Sequence, residues 1–141
     1  MLDLFAGTGA LGIEAISRGA GRVVFVERAR RALEALRGNI ADLGLGSECE
    51  VLPMDAMAAL PLLAGRGAEF DLVLLDPPYG EGREVRALEE LRETNLVPEH
   101  GLVVVERAKR DALAPVEGWR QQRERAYGDT VLVQLSREPI G

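Results

Sequence analysis

Leu2-Asp3-Leu4-Phe5-Ala6-Gly7-Thr8-Gly9-Ala10-Leu11-Gly12 carries a short apolar run through a glycine loop and into a helical segment. Met1 to Phe5 read as a strand. Ala10 to Arg18 read as a helix stopped by Gly19, a residue that enters the left-handed conformation without a side-chain clash. Gly7, Gly9 and Gly12 form the pattern that lets a backbone approach a nucleotide closely at the start of a helix. Glu27 stands 20 residues after Gly7, at the end of a second apolar run from Val23 to Val26. An acid there is placed to accept hydrogen bonds from ribose hydroxyls.

Working outward, apolar clusters continue to alternate with helical segments. Glu50 to Leu52, Phe70 to Leu75 and Leu102 to Val105 read as further strands, and continuous apolar runs suit strands covered on both sides. Ala29, Leu33, Leu36, Ile40 and Leu43 repeat at helical spacing ahead of Gly44, and Val85, Leu88 and Leu91 mark another helix whose apolar stripe faces the core. Near the C-terminus, Trp119 to Tyr127 and Thr130 to Leu135 flank Gly128-Asp129, a pair suited to a hairpin turn. Leu113-Ala114-Pro115 is expected to end a short helix. The pattern is that of an α/β protein with a mostly parallel sheet between two helical layers, formed by residues 1–141 as a single domain.

Of the 141 residues 47% are apolar, enough for one sizeable core. A lone cysteine, Cys49, closes no intramolecular disulfide and has no metal-ligand partner nearby, so a small strand or loop residue in a reducing compartment is expected. No signal peptide, membrane span or metal cluster is legible, which predicts a cytoplasmic protein without metal. A net charge of -6 argues against a broad electrostatic footprint on nucleic acid. The sign is uneven, however: Arg107, Lys109, Arg110, Arg120, Arg123 and Arg125 face only Asp111, Glu117 and Glu124 in the same stretch, which is either a solvated face or a local phosphate-contacting surface. His100, beside Gly101, reads as an ordinary turn residue.

Dinucleotide enzymes and methyltransferases both hold an adenosine ribose at this strand edge, so the glycines do not choose between them. Asp3 does. A carboxylate inside the first strand is awkward beside an anionic pyrophosphate and suits a ligand bearing an ammonium and a sulfonium. Its other reading is an anchor that ties down the glycine loop through backbone N–H groups. Asp55, in Pro53-Met54-Asp55-Ala56, either accepts a hydrogen bond from an adenine amine or caps a helix beginning at Ala56, and both can hold.

Asp76-Pro77-Pro78-Tyr79 carries the chemistry. It follows a buried strand at the edge where open α/β sheets bind ligands. Two prolines fix the backbone and remove two donors, leaving carbonyls free to accept. The Asp76 carboxylate and the Pro77 carbonyl can hold both hydrogens of an exocyclic base amine and aim its lone pair at a methyl group. Tyr79 can stack on the base, a contact worth about 1–3 kcal/mol, and a base within a duplex would first be flipped out.

With Leu2 to Ala15, Val26-Glu27, Asp55-Ala56, Phe70 to Tyr79, Val105-Glu106 and Tyr127-Gly128-Asp129-Thr130, the chain resembles the bacterial small-subunit (16S) ribosomal RNA guanine-N2 methyltransferases, the RsmD-like family. The resemblance implies a seven-stranded, Rossmann-like class I methyltransferase fold with an antiparallel last strand. It implies S-adenosylmethionine as cofactor, and ribosomal RNA or the assembling small (30S) subunit as partner of a monomeric enzyme. Carried over by motif, Asp3, Phe5, Gly7 and Gly9, with Ala6 and Thr8 between them, would surround the methionine part. Glu27 would take the ribose, Asp55 and Ala56 the adenine, and Asp76 would border the cofactor. Asp76, Pro77, Pro78 and Tyr79 would hold the target guanine. Family members carry a further basic segment ahead of the first strand that this sequence lacks, so the chain reads as truncated there. The rival readings are an adenine-N6 methyltransferase on DNA or RNA and a cofactor-binding module without activity.

Overall fold

The computed structural model describes residues 1–77, 82–108, 113 and 115–138. The alternating runs form, in chain order, β1 (Leu2–Leu4), α1 (Ala10–Ser17), β2 (Val23–Val26), α2 (Arg30–Asp42), β3 (Cys49–Leu52) and α3 (Ala56–Gly65). They continue with β4 (Leu72–Leu75), α4 (Arg83–Thr94), β5 (Leu102–Ala108), β6 (Trp119–Tyr127) and β7 (Thr130–Arg137). One sheet holds all seven strands in the order β3-β2-β1-β4-β5-β7-β6. The strands β1 to β5 run parallel, and β7 inserts antiparallel between β5 and β6.

Helices cover both faces because the apolar runs send alternate side chains to each. On one face Leu2, Leu4, Val73, Leu75, Val103 and Val105 pack with Leu60 and Leu63 of α3 and with Leu88 and Leu91 of α4. On the other, Val23 and Phe25 meet Leu36 and Ile40 of α2, with Ile13 and Ile16 of α1 alongside. Trp119 closes the first layer by donating its indole N–H to the Leu88 carbonyl at 2.9 Å, which satisfies the one polar group of a buried aromatic.

Several boundaries differ from the sequence reading, each for a tertiary reason. The strand expected from Phe70 begins at Leu72, because the Phe70 N–H turns to the Leu96 carbonyl at 2.8 Å. β5 runs past Val105 to Ala108 because β7 supplies partners for Glu106, Arg107 and Ala108. The buried stripe of α2 is Leu33, Leu36 and Ile40, while Leu43 is 59% exposed. On α4, Ala87 joins Leu88 and Leu91 in the core and Val85 sits half-buried. Gly128 takes the left-handed conformation (φ 58°) in the expected hairpin turn. The short helix expected to end at Leu113-Ala114-Pro115 falls outside the described residues. Cys49 is a half-buried strand residue, and among the described residues no helix is long and apolar enough to cross a membrane.

Candidate active site

β1 is the third strand of the sheet, with the chain winding outward through β2 and β3 on one side and β4 and β5 on the other, so the strand order reverses between β1 and β4, the switch point at which such sheets open a crevice. Register decides what lies there. Leu4 pairs with both Val26 and Leu75, and Leu75 pairs with Val105. The next residues along these four strands are Phe5, Glu27, Asp76 and Glu106, so they form one row across the sheet edge. All four line a cleft of about 620 Å³, together with Arg28, Met54, Asp55, Ala56, Pro77 and Arg83.

The glycine loop is held by Glu27. Its Oε1 accepts the Gly7 N–H at 2.8 Å, and Oε2 accepts the N–H groups of Arg28 and Ala29 at 3.0 and 2.9 Å. A carboxylate has about four acceptor positions, so Glu27 is fixed in orientation with capacity remaining toward the cleft. The three glycines do different work. Gly7 (φ 60°) has open space where a Cβ would stand, whereas a Cβ on Gly9 (φ 83°) would collide with Leu36. A Cβ on Gly12 would drive into the Phe25 ring and stand 3.1 Å from Asp3 Oδ2. Gly9 and Gly12 thus let α1 and α2 settle on the sheet, and Gly7 leaves the loop open. Asn39 of α2 ties down the exposed Thr8 through its carbonyl at 3.1 Å, and Ala6 joins β2 by donating to the Val26 carbonyl at 2.9 Å. Phe5 adopts φ 61°, a left-handed conformation that is costly for an aromatic residue and is found where a loop is held for function.

Asp3 is the one buried polar or charged residue of the described core, 4% exposed. Burial raises its pKa from 3.8 to about 7; the Gly12 amide opposes the shift, and the Asp76 and Glu27 charges add to it. Asp3 is a buried carboxyl with no cation beside it among the described residues, the situation in which a cationic ligand is favoured. Asp55 likewise fills both of its expected roles' positions: it caps α3 by accepting the Met57 N–H at 3.1 Å, lies 3.6 Å from Arg28 Nη1, and lines the cleft.

Asp76 sits at the rim and Pro77 is buried behind it. Pro78 and Tyr79 fall outside the described residues. Desolvation raises the Asp76 carboxyl above its ordinary range, and the neighbouring Glu106 side chain opposes the shift. Glu106 is raised in turn by its own desolvation and by the Asp76 charge. The sequence reading gave Glu106 no role, although an acid that ends the apolar run Leu102-Val103-Val104-Val105 is a recognisable signal. Arg28 and Arg83 were also missed, because nothing in their local sequence points to the cleft.

Away from the cleft, Arg120, Arg123 and Arg125 are exposed on β6, and Arg107 pairs with Glu124 at 3.0 Å. Lys109 and Arg110 lie outside the described residues. His100 meets Asp71 at 3.0 Å in an exposed turn. Among the described residues no group of His, Cys, Asp and Glu is arranged to hold a metal ion.

Comparison with known proteins places the chain in a family. The family described as Conserved hypothetical protein 95 matches residues 1–136. YlbH of Bacillus subtilis strain 168, named as a candidate rRNA methyltransferase, is 37% identical over 130 residues, covering 92% of this chain and 71% of that protein. Ribosomal RNA small subunit methyltransferase D of Escherichia coli K12 is 32% identical over 141 residues, covering 99% of this chain and 69% of the relative. The solved structure of a conserved hypothetical protein from Streptococcus pyogenes matches with a TM-score of 0.88 at 36% identity, covering 97% of this chain and 84% of that one.

Proposed function

The chain belongs to the Conserved hypothetical protein 95 family and is a class I S-adenosylmethionine-dependent methyltransferase of ribosomal RNA; within that activity we propose that its acceptor is the exocyclic N2 amine of a guanine in the small-subunit RNA. The observation that supports this most is the row of Phe5, Glu27, Asp76 and Glu106 along one sheet edge, with Pro77 behind it.

Of the residues assigned to the cofactor, Phe5, Glu27, Asp55, Ala56 and Asp76 line the cleft, whereas Asp3, Ala6, Gly7, Thr8 and Gly9 lie outside its lining. Asp3 and the neighbouring backbone of Phe5, Ala6, Gly7, Thr8 and Gly9 would hold the methionine part, the oriented Glu27 carboxylate the ribose diol, and Asp55 with Ala56 the adenine. S-adenosylmethionine supplies, when bound, a methyl group on a positively charged sulfur. The residues of this chain contribute position. Asp76 and the Pro77 carbonyl accept the two hydrogens of the amine and so direct its lone pair, and Tyr79 stacks on the base. Holding two reactants in a productive orientation is worth many orders of magnitude in effective concentration. The proton freed from the nitrogen can leave after the bond forms, so Asp76 need not be a strong base.

The substrate is ribosomal RNA; we propose that it is met as RNA or within the assembling small subunit, in the cytoplasm, by a monomeric enzyme. Small subunits assayed with the wild-type protein should yield N2-methylguanosine by nucleoside mass spectrometry. Asp76→Ala is expected to lower the rate by about 100-fold or more while calorimetry with S-adenosylmethionine still detects binding. Wild-type rates from this variant would overturn the acceptor clamp, and N6-methyladenosine as product would move the reading to the adenine-modifying class.

A further inference from the structure

We propose that Glu106 is a second base-reading carboxylate: it accepts the ring N1–H of the target guanine while Asp76 and Pro77 hold the N2 amine, making Glu106 a determinant of guanine over other purines. The inference rests on the guanine reading above.

The parallel pairing of Leu75 with Val105 makes Asp76 and Glu106 the next residues on neighbouring strands, and both line the cleft. Each carboxyl lies close enough to bear on the ionisation of the other. Two acceptor groups that close together match two adjacent N–H donors on one edge of a flat ring. Guanine offers such an edge, with N1–H beside the N2 amine, and ionised carboxylates are acceptors only. Adenine offers an amine beside a bare ring nitrogen, which a second carboxylate would repel. In the complex the two donors of guanine relieve the repulsion between the two acids.

A structural role accounts poorly for Glu106. Setting the half-buried Glu106 beside a second acid at the cleft rim raises the energy of both, and such arrangements gather at functional sites. Its partner across the sheet is Leu132, so an apolar side chain would suit the fold as well.

The test compares two bases at one position. The guanine that the wild-type protein methylates is located by mass spectrometry, and small subunits are reconstituted with either guanine or 2-aminopurine there. The analogue keeps the N2 amine, carries a lone pair in place of N1–H and lacks O6, a loss common to both enzyme variants, so the change of preference between them reads the N1 contact. Wild-type enzyme is expected to favour guanine in kcat/KM by about 10- to 100-fold, the range for one hydrogen bond to a charged group. In Glu106→Gln the side-chain amide can donate to the bare N1, so the preference should collapse or reverse. This ratio is internal to each variant and does not depend on how much of it is folded. A Glu106→Gln ratio equal to that of wild type would overturn the inference and leave the guanine reading standing. A wild-type enzyme that leaves guanine unmodified would overturn the guanine reading, and this one with it.

Discussion

Replacing the buried Asp3 by asparagine is expected to stabilise the protein at neutral and alkaline pH while weakening its grip on the cofactor. Asp3 is 4% exposed, and its pKa is raised from 3.8 to about 7, chiefly by burial. Between those two values the unfolded chain is ionised while the folded one keeps its proton, so folding takes up a proton and stability falls as pH rises. Above the folded value both states are ionised and the penalty is constant. At about 1.4 kcal/mol per pH unit, the gap amounts to roughly 4 kcal/mol at full ionisation. Asparagine has the same shape, keeps an acceptor for the Gly12 amide and carries no charge, so D3N should recover a good part, about 1–3 kcal/mol. Urea denaturation of both proteins in steps from about pH 4 to about pH 8 isolates the effect, because the other carboxyls are common to both. The stability difference should be small at the acid end, grow through the interval and level off above about pH 7. Titration with S-adenosylmethionine should show D3N weakened by about 10-fold or more. A difference independent of pH, or a D3N protein less stable than wild type at the alkaline end, would refute the claim that Asp3 is an uncompensated buried charge. Unchanged cofactor affinity would refute its proposed role at the methionine part.

Two further substitutions separate packing from binding. In Gly12→Ala the new Cβ meets Phe25 Cζ at 2.8 Å and Asp3 Oδ2 at 3.1 Å. The gain in helix propensity, about 1 kcal/mol, is then outweighed by overpacking of about 1–3 kcal/mol. A lowered urea midpoint is expected, and an unchanged one would mean that α1 lies loosely on the sheet. Asp55→Ala removes the acceptor of the Met57 N–H and should cost about 1 kcal/mol, whereas Asp55→Asn should restore the cap. Equal thermal stabilities for the two variants would show that the cap contributes nothing.

The glycine loop, the order of strands and helices in the chain and the row-forming acids Glu27 and Asp76 were legible in the sequence because each depends on local rules. A left-handed glycine, an apolar period or a proline pair acts within a few residues. Boundaries were less legible where distant partners set them. The Phe70 N–H is claimed by Leu96, and β5 is lengthened by β7. Asp3 and Asp55 each had two sequence readings, loop anchor or ligand group and helix cap or ligand group. The fold gives Asp55 its helix cap and a place in the cleft lining, and it buries Asp3 beside α1 with no cation among the described residues.

By itself, then, the sequence determined which residue types stand at the strand ends: an aromatic, three acids and a proline-locked turn, in an order that suits an adenosine cofactor and an amine acceptor. Only the tertiary structure decided that these ends meet. Parallel pairing of Leu4 with Val26 and Leu75, and of Leu75 with Val105, aligns positions that are tens of residues apart in the chain. That register brings Glu106 to Asp76, a neighbour that no local pattern could announce, because strand pairing is fixed by burial of both sheet faces and not by the residues at the edge.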